Sequence, residues 1–188
     1  MRKAFVLGLV LLGSGILIAR GDIIPTLDSI TGSSPSFTWN YAANVTVNQT
    51  INSGDFFTIY DFGTIAPGSN TQPTGWTFSQ ALVGPTAALT TPTDDPNILN
   101  LTWTYNGSTP IVGSASLGIF SVVTSTDQLK TGQFTGQATR SIGQPNAGTK
   151  ISNIGSVSVP VPESSSLLPI VAVCGAALLL RLVRRQRA

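Results

Sequence analysis

Apolar and polar side chains alternate along much of the middle of the chain. The clearest case lies in residues 37–47, where every second residue is apolar: Phe37, Trp39, Tyr41, Ala43, Val45 and Val47. The residues between them are mostly asparagine and threonine. Because successive side chains of a β-strand point to opposite faces, this period of two predicts a long strand with one apolar face.

Other segments predict further strands. Residues 56–62 are rich in aromatic and β-branched side chains and follow a turn sequence at residues 52–55. Residues 99–105 alternate again and end at Asn106-Gly107, a favoured turn pair. Residues 116–123 form a compact apolar run that suits a buried strand.

Weaker strand patterns surround Phe134 and Arg140, and residues 151–159 add a last one. Pro85 and Pro92 interrupt the stretch between the clearer strands, since proline is excluded from central strands. The pattern amounts to about eight short strands, with no convincing amphipathic helix outside the two ends of the chain. We therefore expect an all-β domain, a β-sandwich of the jelly-roll or immunoglobulin-like kind.

The N-terminal segment has the pattern of a secretory signal peptide. Arg2 and Lys3 precede an apolar stretch over residues 4–19, and Ala19-Arg20-Gly21 is a small-x-small cleavage sequence. The expected signal peptide is residues 1–21, with cleavage between Gly21 and Asp22. An uncleaved signal anchor is the alternative, because Arg20 is not ideal at a cleavage site.

The C-terminal segment, residues 159–188, combines three elements in a fixed order. Val161-Pro162-Glu163-Ser164 comes first. An expected membrane helix over residues 165–183 follows; its apolar run starts at Leu167, has Arg181 as its only charge, and is just long enough to cross a membrane. A basic tail, residues 184–188, comes last. The arginines of this segment are Arg181, Arg184, Arg185 and Arg187. Basic flanks resist translocation, so both ends of the chain are expected to stay inside and residues 22–158 to be exported.

The order of Pro-Glu motif, apolar helix and arginine cluster resembles the PEP-CTERM sorting signal of bacterial exported proteins. The usual form is Val-Pro-Glu-Pro, and this chain has Ser164 in place of the second proline. Residues 54–62 and 153–160 also resemble segments of exported proteins that carry this tail. The resemblance implies cleavage near Pro162-Glu163 by an exosortase-type membrane protease, and a role in biofilm matrix or exopolysaccharide. An ordinary single-pass tail anchor is the alternative.

The charge distribution supports this partition. The chain carries +2 overall with a pI near 9.0, but seven of its ten basic residues lie in the two terminal segments. Residues 22–162 hold three basic and seven acidic side chains, a net charge of −4. An exported segment without a basic patch argues against nucleic-acid binding.

Residue content also restricts the chemistry. The chain has no histidine, which removes Ser-His-Asp and Cys-His catalysis and histidine-containing zinc sites. Its single cysteine, Cys174, lies in the C-terminal apolar run, so no intramolecular disulfide forms. No metal or cofactor is expected.

Two aromatic pairs and two groups of aspartates are candidate sites. Trp39-Asn40-Tyr41 and Trp103-Thr104-Tyr105 are expected to be core anchors rather than a sugar-stacking platform. Oxygen ligands for calcium, or a glycosidase acid and base, were considered for Asp94 and Asp95 with Asn97 and for Asp55 with Asp61; solvated turn residues are the favoured interpretation.

Three functional hypotheses follow. The favoured one is a non-enzymatic surface or matrix protein that enters the Sec translocon, loses its signal peptide to signal peptidase, is held briefly in the inner membrane and is released by an exosortase. The second is a permanently anchored periplasmic or surface binding module, with carbohydrate as a candidate ligand. The third and weakest is a surface hydrolase that uses paired aspartates.

Overall fold

The computed structural model describes residues 23–161, which form ten β-strands and no helix. The strands are β1 Ile23–Ser33, β2 Ser36–Val45, β3 Gln49–Ile51, β4 Phe56–Ile59, β5 Trp76–Ala81, β6 Asn100–Tyr105, β7 Ile111–Val112, β8 Ala115–Thr124, β9 Leu129–Arg140 and β10 Lys150–Pro160.

The strands form two antiparallel sheets. The smaller sheet has three strands in the order β1-β2-β8, and the larger has seven, in the order β5-β6-β4-β9-β3-β7 with β10 also paired to β9. β10 pairs with β9 along its whole length, from Lys150 opposite Thr139 to Pro160 opposite Leu129. β4 and β3 therefore follow one another along the other edge of β9. The all-β prediction is confirmed.

The hydrophobic core draws on both sheets. The apolar face of β2 behaves as its alternation predicts, since Trp39, Tyr41, Ala43 and Val45 are all buried. From the larger sheet come side chains such as Phe57 and Trp103, whose rings stack at 5.2 Å between centroids. The alternation predicts a strand that continues to Val47. In the structure β2 ends at Val45, and Val47 is exposed.

The polar face of β6 is buried, unlike the polar face of an ordinary amphipathic strand. Asn100 and Thr102 are as inaccessible as their apolar neighbours. The proline-containing loop between β5 and β6 lies over them: the Asn100 amide donates to the carbonyl of Leu82, and the Thr58 hydroxyl donates to that of Pro85. The loop carbonyls thus satisfy polar groups that the sequence pattern alone would place in water.

Several predictions of the terminal segments fall outside residues 23–161. They are the signal peptide with its cleavage site at Gly21 and Asp22, motif residues Pro162, Glu163 and Ser164, the membrane helix at 165–183, and Arg181, Arg184, Arg185 and Arg187. Within the described residues, no helix is long and apolar enough to span a membrane.

Candidate functional site

The predicted processing motif begins where β10 ends. Pro160 is the last strand residue, and the amide of Val161 donates a hydrogen bond to the carbonyl of Gln128 at 2.9 Å. Val161 is half-buried, and it is the one residue of the four-residue motif that the structure places. The Pro162-Glu163 pair follows directly after this hydrogen-bonded position.

A cleft of about 480 Å³ lies beside this exit from the sheet. Pro160 and Val161 line it together with parts of three other segments, residues 62–64, 97–99 and 124–126. None of its lining side chains is ionisable. The chain therefore leaves the sheet next to a neutral, mixed polar and apolar surface.

Tyr41 ties β10 to the smaller sheet near this exit. Its hydroxyl donates to the carbonyl of Ser158 at 2.8 Å, across the interface between the sheets. Burial raises the pKa of Tyr41 well above its ordinary value, because desolvation penalises the charged phenolate. The hydroxyl thus keeps its proton, and with it the ability to donate.

Asp55 fixes the other end of β10. Its carboxylate is fully buried and accepts hydrogen bonds from the Lys150 ammonium at 2.6 Å, the Thr139 hydroxyl at 2.8 Å and the Asn52 amide at 2.8 Å. The interpretation of Asp55 as a solvated turn residue was therefore wrong. A turn sequence indicates only the local backbone conformation. The burial of Asp55 comes from β9 and β10, which lie far away in sequence.

The remaining aspartates organise the loop before β6. Asp95 accepts from the backbone and side-chain amides of Asn97, which lower the pKa of its carboxyl, and its own backbone amide donates to Asp61. Asp94 accepts from the amide of Asn100. Of these three aspartates, Asp95 is exposed beside a turn as expected, whereas Asp61 and Asp94 are half-buried and hydrogen-bonded within the loop. Residues 23–161 contain no group of three or more acidic, histidine or cysteine side chains placed to hold a metal ion.

Both Trp-x-Tyr pairs are core residues, as expected. Trp39, Tyr41 and Trp103 are fully buried and Tyr105 is 5% exposed. The Trp39 indole donates to the carbonyl of Thr126, and the Tyr105 hydroxyl donates to that of Thr109. None of the four rings is available for stacking on a sugar.

Sequence reasoning missed a second cleft, at the end of the larger sheet away from the exit. It has a volume of about 450 Å³ and includes Arg140, Thr50 and Ile142 in its lining. The sequence pattern predicts for Arg140 only a place in a weak strand. A signal was present, since it is one of only three basic residues between positions 23 and 161.

No family model matches this chain, and no curated protein or solved structure does either.

Proposed function

We propose that this chain is a non-enzymatic exported protein of the bacterial cell surface or extracellular matrix, sorted by a PEP-CTERM-like signal in residues 159–188. An exosortase-type protease cleaves near Pro162-Glu163 and frees the β-domain from a transient inner-membrane anchor. The observation that carries the proposal is the place of the motif: its first residue, Val161, follows β10 directly and donates a backbone hydrogen bond to Gln128.

The position suits proteolysis because the Pro162-Glu163 bond comes after the last residue of β10, so the cut requires none of the described strands to open. Cleavage after Pro162 would leave every residue of β10 in the product, including its pairing with β9 from end to end. The neutral cleft lined by Pro160 and Val161 lies next to the proposed cleavage position.

The sequence supplies the topology in this proposal. The apolar residues 165–183 form the stop-transfer helix, and Arg181, Arg184, Arg185 and Arg187 hold its end in the cytoplasm. Export through the Sec translocon and removal of residues 1–21 by signal peptidase would leave a new N-terminus at Asp22, one residue before β1. Both cuts then fall outside the strands.

We further propose that the domain is a β-sandwich in the jelly-roll or immunoglobulin-like class. Support comes from the shared core, to which both antiparallel sheets contribute buried aromatic side chains. The many turns and antiparallel pairings are those expected of such an architecture.

The test is the intact mass of the protein recovered from the native envelope and medium, for wild type and for Glu163→Ala. We expect wild type to end near Pro162 and the variant to retain Arg184 to Arg187. Asp127→Ala is the matched control, because it removes a different carboxylate, one that is exposed and next to Gln128 at the exit, and leaves the motif intact. It should be processed like wild type.

A second variant, Ser164→Pro, restores the usual form of the motif and should be processed at least as completely as wild type. If wild type, Glu163→Ala and Ser164→Pro all keep the arginines and stay in the membrane, the sorting proposal is wrong. The chain would then be a permanently anchored surface module.

A further inference from the structure

The cleft at Arg140 lies at the opposite end of β9 from the chain exit. β9 starts at Leu129, opposite Pro160, and ends at Arg140, opposite Gln49 of β3. A strand of 12 residues spans about 35 to 40 Å. The cleft is therefore remote from the proposed cleavage position, and a ligand there would not obstruct the protease.

Arg140 has no acidic partner. The one ion pair between residues 23 and 161 joins Lys150 to Asp55, and the buried Nε of Arg140 makes no hydrogen bond. Gln49, directly across from it in register, has an equally unpartnered Oε1. Nε itself is closed to a ligand, but the guanidinium lines the cleft and has no acidic partner, so its other nitrogens are candidates for binding an anion.

The surroundings of Arg140 combine hydroxyl groups with exposed apolar side chains. Thr50 and Ser141 both line the cleft, and their hydroxyls are 2.8 Å apart. Val112 and Ile142 also line it and are 65% and 97% exposed. A ligand here would meet a cation, hydroxyls able to donate and accept, and two apolar surfaces.

We propose that this cleft binds a carboxylated sugar, a uronate residue of an acidic polysaccharide, with the carboxylate on Arg140. Guanidinium and carboxylate match in a planar, two-bond geometry, and the hydroxyls of Thr50 and Ser141 suit sugar hydroxyls. This inference rests on the proposed function, since export is what brings the domain to the cell-surface polysaccharide.

Charge selects the acidic class of saccharide over neutral ones. The cleft contains no aromatic ring, and both Trp-x-Tyr pairs are buried, so a neutral glycan would lack the usual stacking surface. Residues 23–161 as a whole carry more acidic than basic side chains. That net charge repels anions in general, so an anion is attracted only where a cation lacks an acidic partner, as at Arg140.

The experiment measures binding to the full-length protein in neutral detergent by isothermal titration calorimetry, with tetragalacturonate as the probe. Maltotetraose tests for neutral sugars and tetraglutamate for acidic peptides. We expect tetragalacturonate alone to bind, with an affinity that falls as salt increases. Arg140→Gln should weaken binding by at least about tenfold.

Three further variants, one inside the cleft and two outside it, keep the test independent of folding defects. Val112→Asp places a negative charge on an exposed cleft residue without touching the core, and it should weaken tetragalacturonate binding like Arg140→Gln. Val83→Asp, at a residue that is 71% exposed and lies outside the cleft, should bind like wild type. Lys130→Gln removes a cation at the far end of β9 and should also have no effect.

The inference is overturned if tetragalacturonate fails to bind, if Arg140→Gln and Val112→Asp bind it as wild type does, or if maltotetraose or tetraglutamate binds equally well. Failure of sugar binding leaves the intact-mass result unaffected, and failure of processing leaves the titration unaffected. The two proposals therefore fail separately.

Discussion

Tyr41 illustrates how one side chain connects the two sheets to the strand that leads to the motif. Tyr41→Phe keeps the ring in the core but leaves the carbonyl of Ser158 without its donor. We expect the free energy of unfolding to fall by about 1 to 2 kcal/mol, the cost of an unsatisfied buried acceptor. Urea denaturation at pH 7 measures it, and an unchanged midpoint would show that the hydrogen bond is dispensable.

The same residue gives a pH dependence. Because the pKa of Tyr41 is raised in the folded state, the folded protein holds a proton that the unfolded chain loses above about pH 10. The stability from this residue is complete below that pH and is lost as pH rises further. Wild type should therefore lose stability between pH 10 and 11.5 more steeply than Tyr41→Phe, as thermal melts would show. Parallel curves would contradict this.

Asp55 and Lys150 form an ion pair whose two halves differ in exposure. Asp55→Ala leaves the Thr139 hydroxyl and the Asn52 amide without their acceptor, and we expect it to cost about 3 kcal/mol. Lys150→Met should cost less, about 2 kcal/mol: it leaves the buried carboxylate of Asp55 without its cation, but that carboxylate keeps the Thr139 and Asn52 donors, and the lysine side chain is 44% exposed. Chemical denaturation compares them with Asp127→Ala, an exposed control expected within about 0.5 kcal/mol of wild type. Equal losses for Asp55→Ala and Lys150→Met would contradict the asymmetry.

At the scale of elements, β10 is the last strand of the fold and the link to the proposed sorting segment. A chain ending at Pro162 keeps every β10–β9 pairing, whereas one ending at Thr149 loses all of them along with Val157 and Val159 from the core. We expect the first to fold when secreted and the second to be unfolded or degraded. Circular dichroism and limited proteolysis distinguish them, and a folded product ending at Thr149 would show that β10 is not needed.

The strands that sequence predicted best are those whose burial follows their own pattern. β2 could be recognised because it places apolar residues against the core at every second position. β8 could be recognised as a compact apolar run, although Ile119 within it is 44% exposed. β9 was only weakly predicted, since Gly132, Gly136 and several polar residues hide its central position between β10 and two shorter strands. Burial of the polar face of β6 depends on a loop packing over it, which no local pattern records.

The candidate sites also differ in whether a local sequence pattern could predict them. The core role of the Trp-x-Tyr pairs follows from alternation and was predicted. The burial of Asp55 beneath Lys150, and the cleft at Arg140, depend on strand pairings between residues about ninety positions apart. Such juxtapositions come from sheet register, and a single sequence contains no local signal for it.

For the whole molecule, charge asymmetry is the main argument for the proposed membrane topology: basic residues concentrate at both ends and acidic ones between them.

Because Cys174 is the only cysteine, its replacement by alanine gives a background for single-cysteine reporters. In that background and with Glu163→Ala to retain the tail, Thr31→Cys should react with a membrane-impermeant maleimide in spheroplasts, since Thr31 is exposed on β1. Gln186→Cys should react only after detergent is added, because the arginines around it keep the tail in the cytoplasm. Labelling of Gln186→Cys from outside would reverse the proposed orientation and with it the sorting mechanism.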